Sequence, residues 1–364
     1  MKVCYFHNPQ APRSFHGYEI STLDPAPYFL RGVPRRRWLR ARRRFRALFS
    51  AAGVDDLYRE RDADYMRFVG DFVDMYRDAH LIILATYNPI HPEILQRQLP
   101  HPTKILGFID DPISTYVRGI PFLWAFDGAF YISPSYNEHR LFADALREWG
   151  CPETTWLPLV SERLPDFEPT DEFFLRRDID VVYVGKAYGN KINRLVQLKR
   201  HFGERLHVHG RWALRGHVGW VRGILGKPIY PYRVAPLSEA ERCGLYLRSK
   251  IGIDMHVSNV PTETGNMRMY EVPAHGAMLL CDKAALNAHA LIFKPDVEAV
   301  FYADLADAIA KAEYYLVHPS ERTAIARAGF ERRRRDYDYE KVLRGLLDWA
   351  SRIRAQTESV CGSR

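Results

Sequence analysis

Short apolar runs alternate with amphipathic stretches along the whole chain, and most of the runs end in glycine or polar residues. Runs of this length, separated by helical patterns, predict strands of parallel sheets rather than hairpins. In the C-terminal half they cover residues 180–185, 206–210, 250–254 and 277–282, and in the N-terminal half residues 3–7, 81–88, 104–110 and 128–133. The pattern therefore predicts an α/β fold in both halves.

The polar residues at the strand ends are the first candidates for binding. Carboxyl ends of parallel strands meet at one edge of a sheet, where ligands of open α/β folds bind. Glycine lets a phosphate approach the backbone closely, and cations nearby can neutralise a diphosphate. The candidates of the C-terminal half are Gly185, Lys186, Arg194, His209, Gly210, Lys250 and His256.

Two glutamates, Glu263 and Glu271, stand seven residues apart, with Gly265, Asn266, Met267 and Arg268 between them. A helix that begins near Met267 places Glu271 on its first turns, where free backbone N–H groups favour an anion such as a diphosphate. There Glu271 can accept hydrogen bonds from a ribose, while Glu263 precedes it in a loop. Acids in helix first turns also occur for capping alone. The favoured hypothesis is a nucleotide-sugar site.

With these residues, the chain resembles the C-terminal domain of GT-B glycosyltransferases, and within them the spore-maturation-type (CgeB-like) enzymes related to glycosyltransferase group 1. The resemblance covers residues 178–340 and rests on residues 180–185, 209–212, 250–251 and 266–276. It implies two Rossmann-like domains facing across a cleft, the GT-B architecture. It also implies that Glu263 lies near the donor sugar and Glu271 on the ribose. The Gly-Phe-Gly usual between the acids is replaced here, so retention and inversion of configuration both stay open.

The length of 364 residues suits two domains. We expect an N-terminal acceptor domain over residues 1–170, a nucleotide-sugar domain over 171–335, and a final helix over 336–364. The resemblance implies that this helix crosses back to the N-terminal domain. In the N-terminal domain, the adjacent acids Asp110 and Asp111 exceed what a helix cap needs, so they are candidates for a sugar contact or a base.

Residues 35–46 carry eight arginines, as many as the formal net charge of +8, so the basic character is local. On a helical wheel Trp38 and Phe45 share an apolar stripe, while Arg42, Arg43 and Arg46 lie elsewhere. One interpretation is a membrane-surface helix, with the aromatics in the interface and the arginines on anionic head groups. The stripe can equally pack on the domain core, leaving only the arginines to meet phosphates. A nucleic-acid-binding helix is a further alternative, which the neutral remainder disfavours.

Neither a metal nor another cofactor is expected. The five cysteines have no paired spacing, and the acids Asp178 and Asp180 precede their strand rather than follow it. No apolar run approaches 18 residues, so a cytoplasmic protein is expected, with peripheral attachment to the inner membrane face open. The resulting hypothesis is transfer of a sugar from a nucleoside diphosphate sugar to a glycan or lipid-linked acceptor hydroxyl in cell-envelope biosynthesis. A sugar-nucleotide epimerase on the same fold is the alternative enzyme.

Overall fold

The computed structural model describes residues 1–5, 12–109, 119–160, 169–187, 189–210, 237–256 and 264–361. Its contacts divide the chain into two compact units. The first unit comprises Met1–Tyr136, Arg140–Leu157 and Val342–Arg364, and the second comprises Asn137–His139 and Pro158–Lys341. The sequence placed these borders at residues 170 and 335, so the second unit starts earlier in the chain and ends slightly later than expected.

The sheet of the first unit contains seven strands among the described residues, in the order β2-β3-β1-β4-β5-β6-β9. All neighbours pair in parallel except β2 and β3, which are antiparallel. Every residue of the central strand β4 is buried, as expected for a parallel strand covered on both faces. The strands are β1 Lys2–Tyr5, β2 Ser14–Phe15, β3 Tyr18–Ser21, β4 Leu81–Ala85, β5 Thr103–Phe108, β6 Gly128–Tyr131 and β9 Thr154–Trp156, and a separate pair is β7 Ser135–Asn137 with β8 Arg140–Leu141.

Helices cover this sheet, and α4 shows why they form. Its buried residues recur at helical spacing from Tyr65 through Phe68 and Phe72 to Tyr76, which gives one apolar face. Burial of each such aromatic side chain contributes about 1.5 to 3 kcal/mol. The helices are α1 Ala26–Leu30, α2 Trp38–Ala47, α3 Ala51–Arg59, α4 Ala63–Tyr76, α5 Pro92–Gln98 and α6 Phe142–Glu148, with 3-10 turns at Arg35–Arg37 and Ile120–Ala125.

In the second unit, five strands of the described chain form an entirely parallel sheet in the order β11-β10-β12-β13-β14. The carboxyl ends of β10, β11 and β12 therefore share one edge. The strands are β10 Ile179–Val184, β11 Leu206–His209, β12 Ser249–Asp254, β13 Met278–Asp282 and β14 Val300–Tyr302. The helices are α7 Asp171–Leu175, α8 Asn190–Phe202, α9 Glu239–Arg248, α10 Met267–Ala274, α11 Leu305–Val317 and α12 Pro319–Asp336, with 3-10 turns at Gly203–Arg205 and Ala285–Leu291.

The last helix, α13 Tyr339–Cys361, begins in the second unit, and residues from Val342 onward belong to the first. Within the first unit, Arg354 Nη1 donates to the carbonyl of His80 over 2.9 Å, and Tyr18 Oη lies 3.1 Å from Ser351 Oγ. These bonds attach the C-terminal helix to the edge of the sheet where β1 and β4 begin. None of the helices in the described part of the chain is both long and apolar enough to cross a membrane.

The eight strands predicted from the apolar runs are all present, and both sheets are parallel apart from β2. The sequence did not predict the other six described strands, β2, β3, β7, β8, β9 and β14, which contain two to four residues each. Such short segments carry too few alternating or apolar positions to be distinguished from loops. Their place in the structure comes from pairing with a neighbouring strand.

The arginine-rich segment forms the 3-10 turn Arg35–Arg37 and then α2, which ends before Ser50 caps α3. Ala41 and Leu48 are buried, and Phe45 packs against the core of the first unit. Most of the stripe therefore packs on the core, and the half-buried ring of Phe45 lies 6.4 Å from that of Phe29, which contradicts the expectation that Phe45 enters a lipid interface. Trp38 remains 40% exposed.

Candidate functional site

A pocket of about 320 Å³ opens at the carboxyl ends of β10 and β11, within the second unit. We call it the strand-end pocket. Its walls come from these strand ends, from the first turns of α10 and from α9. Six of the predicted binding residues line it, namely Gly185, Lys186, Gly210, Met267, Arg268 and Glu271, together with Val184, Leu237 and Arg242.

The two glycines allow the strand ends to come together at the floor of this pocket. The backbone N–H of Gly185 donates to the carbonyl of His209 over 2.9 Å, which extends the ladder by one residue. A Cβ on Gly210 would collide with the carbonyl of Gly185, and a Cβ on Gly185 would collide with the guanidinium of Arg268. Gly210 also has a φ of +128°, a conformation that other residues rarely adopt. Gly210 therefore requires glycine, whereas a Cβ at Gly185 would displace the guanidinium of Arg268.

Helix α10 begins at Met267, as predicted, because Asn266 caps it. The side-chain oxygen of Asn266 accepts from the backbone N–H of Arg268 over 2.9 Å. Its amide nitrogen lies 3.2 Å from Asp254 Oδ1 and 2.9 Å from His256 Nε2. Asn266 therefore fixes the start of the helix against the end of β12 and does not line the strand-end pocket itself.

Arg268 is held in one orientation by groups behind the pocket wall. Its Nε donates to Asp254 Oδ1 over 2.6 Å, and its guanidinium lies 5.0 Å from the ring centroid of Tyr183. Asp254 is fully buried, and its pKa is lowered because the charges of Arg268 and His256 outweigh the effect of burial. An ionised carboxylate at the end of β12 thus balances Arg268, which can still present its guanidinium edge beside Gly185.

Glu271 is nearly buried at the wall of the pocket, with two partners from α9. Arg242 Nη1 lies 3.2 Å from its Oε1, and Tyr246 Oη donates to its Oε2 over 3.4 Å. Burial raises the pKa of Glu271, against the opposing charges of Arg242 and Arg268. A carboxylate that is oriented in this way can accept hydrogen bonds from hydroxyl groups of a ligand in the pocket.

Several predicted residues lie beside the pocket in a polar network instead. His256 Nδ1 is 2.7 Å from Asp282 Oδ1, and Arg194 Nη1 donates to the carbonyl of His256 over 3.2 Å and reaches Asp282 at 3.3 Å. His209 is the last residue of β11, and the N–H of Gly265 points to the sulfur of Met269 at 3.1 Å. None of these four predicted residues, His256, Arg194, His209 and Gly265, lines the strand-end pocket.

The placement of Lys250 contradicts the prediction that it neutralises a diphosphate. Lys250 is the second residue of β12, and its Nζ lies 2.6 Å from Asp180 Oδ1, near the start of β10. The four residues from Lys250 to the carboxyl end of β12 span about 13 Å. Its ammonium group is therefore paired at the opposite edge of the sheet from the pocket.

The structure brings three potential metal ligands together behind the pocket. One ligand atom each of Asp254, His256 and Cys281 lies within 4.8 Å of the others, and all three residues are buried. Arg268 already supplies a positive charge to Asp254, and Cys281 Sγ lies 3.7 Å from the same carboxylate. Burial raises the pKa of the Cys281 thiol well above its ordinary value. A protonated thiol and a carboxylate paired with arginine are poor ligands for a divalent cation.

The three residues that sequence analysis missed at the pocket are Val184, Leu237 and Arg242. Arg242 lies on α9, whose first turn has a capping box made by Ser238 and Glu241. This Ser-x-x-Glu spacing is a helix-start signal and would have located the helix. Nothing in it indicates that α9 packs beside α10, and so the role of Arg242 depends on tertiary structure.

The proposed catalytic acids Glu263, Asp110 and Asp111 lie outside the described residues. Other polar strand ends of the first unit are described. Asn88 Oδ1 accepts from the N–H of Ile90 over 2.9 Å, and His91 caps α5 while its ring stacks on Tyr58 at 4.0 Å. These two residues therefore serve the local structure of the first unit.

Comparison of the sequence with known proteins gives two results. Residues 191–348 match a protein-family model described as glycosyl transferase-like, which includes the whole of α9, β12 and α10. No curated protein matches the chain.

Among solved structures, sucrose-phosphate synthase from Thermosynechococcus elongatus aligns with a TM-score of 0.59 and 14% identity, covering 100% of this chain and 89% of that one. An alpha-glucosyltransferase in complex with UDP-glucose and DNA containing an abasic site aligns with a TM-score of 0.55 and 11% identity. The alignment covers 78% of this chain and 83% of that one. HepE from Anabaena in complex with UDP and glucose aligns with a TM-score of 0.51 and 12% identity, covering 82% of each chain. The similarity shows the fold: an α/β chain with parallel sheets, as in GT-B glycosyltransferases.

Proposed function

We propose that this protein is a glycosyltransferase that moves a sugar from a nucleoside diphosphate sugar to an acceptor hydroxyl. The observation that carries the proposal is the strand-end pocket, which combines Glu271, two close-packed glycines and three cationic side chains at the carboxyl edge of a parallel sheet. The match of residues 191–348 to the glycosyl transferase-like family supports it. The narrower resemblance to CgeB-like enzymes is part of this proposal.

The donor would bind with its ribose at Glu271 and its diphosphate beside Gly185 and Gly210. Glu271 is oriented by Arg242 and Tyr246, so its oxygens are fixed before the ligand arrives. Lys186 and Arg242 line the same pocket and can attract the two negative charges of the diphosphate. The α-glucosyltransferase and HepE were solved with UDP or UDP-glucose, so uridine nucleotides are the first donors to test.

In the proposed reaction, the bond from the anomeric carbon to the β-phosphate oxygen breaks and a bond to the acceptor oxygen forms. The diphosphate leaves with the electron pair, and cations in the pocket stabilise its charge. If configuration is retained, the departing phosphate accepts the proton of the acceptor hydroxyl. If configuration is inverted, Asp110 or Asp111 is the proposed base. We propose retention, with Glu263 supporting charge on the donor sugar.

The proposed setting is assembly of a cell-envelope glycan or glycolipid by a cytoplasmic, metal-independent enzyme that transfers a hexose. The acceptor is assigned to the first unit. A peripheral position at the inner membrane face would give a lipid-linked acceptor direct access. Attachment would depend on exposed arginines such as Arg42, Arg43 and Arg46, because Phe45 is used in the core.

The test is to incubate the protein with a panel of nucleotide sugars and to measure nucleotide release, with and without candidate acceptors. One uridine donor should be consumed, and Glu263→Ala should lower kcat on the order of 100-fold or more. The matched control is Glu331→Ala, an exposed glutamate on α12 that should leave turnover unchanged. No release from any donor, together with no nucleotide binding, would refute the proposal. Product formed without an acceptor, as an altered nucleotide sugar, would favour the epimerase.

A further inference from the structure

The first unit contains a second pocket, of about 510 Å³, formed by α1, α2, α4 and the 3-10 turn between the first two. Five arginines line it, Arg31, Arg37, Arg40, Arg44 and Arg67, and Asp64 is its one acid. We call it the arginine pocket. Its volume is in the range that holds a small ligand or a polar head group.

The spacing along the chain explains how these arginines converge. Arg37, Arg40 and Arg44 follow one another at intervals of three and four residues, which places them on one face of the helix. Arg31 enters from the end of α1, and Arg67 from α4. The remaining arginines of residues 35–46 do not line the pocket, so the basic segment has a concave face and an outer face.

The charges in the pocket are not balanced by the protein. Asp64 is shared between Arg44 at 3.1 Å and Arg67 at 3.3 Å. Arg31, Arg37 and Arg40 form no ion pair with any residue that the structure describes. Like charges held close together are destabilising unless a counterion lies between them. All three side chains are exposed, so water and salt screen much of their repulsion, and an anion bound between them would offset the remainder.

The aromatic floor of the arginine pocket orients two of its guanidinium groups. Arg44 lies 5.5 Å from the ring centroid of Phe29, and Arg67 lies 5.7 Å from that of Tyr28. Phe29 is 2% exposed, and Tyr28 donates to Asp71 Oδ2 over 2.5 Å and packs edge-on to Phe68. Arg44 also forms an ion pair with Asp62, the cap of α4. The side of the pocket formed by Arg44 and Arg67 is thus fixed by the fold before any ligand binds.

We propose that the arginine pocket binds a phosphate-bearing group with at least two negative charges, separately from the strand-end pocket. Planar guanidinium groups match phosphate oxygens with paired hydrogen bonds, and several of them around one cavity favour phosphate over a single carboxylate. A lipid head group and a soluble diphosphate share this chemistry. Trp38 and Leu39, which are 40% and 76% exposed at the start of α2, are available to contact acyl chains beside a head group.

The experiment titrates the full chain with inorganic pyrophosphate at fixed ionic strength, using calorimetry, in a Lys186→Ala background that weakens anion binding at the strand-end pocket. Arg37→Gln with Arg40→Gln should weaken binding by about 100-fold or more, since each loses hydrogen bonds to a charged group. Arg35→Gln with Arg36→Gln removes the same charge at exposed positions outside the pocket and should bind as the unaltered protein does. Neither Arg37 nor Arg40 has an ion-pair partner in the described chain, so the unfolding temperature without anion should not fall in the pocket variant.

Vesicles of phosphatidylcholine, with or without phosphatidic acid, distinguish the two sources. If the protein sediments with vesicles that contain phosphatidic acid, the pocket variant does not, and pyrophosphate prevents the sedimentation, the site binds a lipid head group. Pyrophosphate binding without vesicle binding assigns it to a soluble phosphate. Equal losses in the two double variants, or no pyrophosphate binding at all, would overturn the proposal. So would duplex DNA binding that pyrophosphate does not displace. The UDP affinity, measured separately, reports on the strand-end pocket and on the proposed transferase activity.

Discussion

At the scale of single residues, Glu271 connects the fold to the proposed chemistry. It is the fifth residue of α10, and Arg242 and Tyr246 of α9 reach both of its carboxylate oxygens. A contact to ribose is made equally in the ground state and the transition state, so its loss weakens binding more than it slows the chemical step.

We therefore expect Glu271→Ala to weaken binding of the donor nucleotide by about 1.5 to 3 kcal/mol, the range for hydrogen bonds to a charged group. Calorimetric titration with UDP and the consumed UDP-sugar measures this change, and kcat should fall less than the affinity does. Glu331→Ala again serves as the control, because this side chain is exposed on α12. Unchanged affinity in the Glu271 variant would show that the ribose lies elsewhere.

The pH dependence of stability is a separate prediction for the same residue. Burial raises the pKa of Glu271 in the folded protein, so the native state holds its proton more tightly than the unfolded chain does. This contribution to stability is complete below about pH 4.5 and is lost as pH rises through the folded-state pKa. In urea unfolding, Glu271→Gln should therefore gain stability relative to the unaltered protein as pH increases. A constant difference across the pH range would contradict the raised pKa.

Gly210 provides a steric prediction. Gly210→Ala should destabilise the protein by about 1 to 3 kcal/mol, because the added Cβ meets the carbonyl of Gly185 and the residue has positive φ. The matched control is Gly70→Ala, in the middle of α4, where a Cβ meets nothing within 4 Å. That change should stabilise by about 0.5 to 1 kcal/mol. Thermal unfolding compares the two, and equal effects would contradict the close packing at the strand ends.

At the scale of elements, Asp62 joins two helices of the first unit. It caps α4 by accepting from the N–H groups of Asp64 and Tyr65, and it forms an ion pair with Arg44 of α2. Its pKa is lowered, because the hydrogen bonds from Arg44 and the backbone outweigh the effect of burial. The basic helix is thereby attached to the unit through charge as well as through Phe45 and Leu48.

We expect Asp62→Ala to destabilise the protein by about 1 to 2 kcal/mol at pH 7, chiefly through the lost cap. Because the folded-state pKa is depressed, this contribution is present above about pH 3.8 and is lost as pH falls through the folded-state value. The difference in unfolding free energy between the two proteins should thus shrink towards low pH. Asp74→Ala removes an exposed acid that pairs with Arg77 and with no other residue the structure describes, and it should cost about 0 to 0.5 kcal/mol. A loss no larger than this control would exclude the link.

At the scale of the whole molecule, the strand-end pocket and the arginine pocket both concentrate positive charge, but they differ in how many acids balance it. The strand-end pocket of the second unit places Lys186, Arg242 and Arg268 around Glu271, and Arg268 is balanced by Asp254 from behind. The arginine pocket of the first unit holds an excess of four positive charges over its single acid. Each unit therefore has its own proposed site for an anion.

Fixed cations at the strand-end pocket lead to the prediction that turnover survives excess chelator. Lys186 and Arg242 would stabilise the leaving diphosphate in place of a divalent ion. Nucleotide release measured with EDTA, and after adding back Mg²⁺ or Mn²⁺, checks this. Lys186→Ala should lower kcat more than it lowers donor affinity, whereas Lys199→Ala, which alters a lysine of α8 outside the pocket, should change neither. Activity lost to the chelator and restored by Mg²⁺ would contradict the prediction.

The sequence by itself determined the fold class and one side of the candidate site. Buried parallel strands appear as continuous apolar runs in the sequence. Glycine after such a run indicates the end of a strand, and asparagine before a helical pattern indicates a helix cap. For this reason the strands before Gly185 and Gly210 and the start of α10 at Met267 could be predicted.

Only the tertiary structure decided which polar side chains face a ligand and which satisfy one another. Arg194 and His256 were predicted to bind a nucleotide, but they pair with Asp282, which lies on a different strand. Lys250 precedes its apolar run and lies at the far edge with Asp180. Arg242 reaches the pocket from a helix that no local pattern connects to Glu271. The periodicity of apolar residues indicates which face of a helix or strand is buried. Ion pairing, by contrast, depends on segments that only folding brings together.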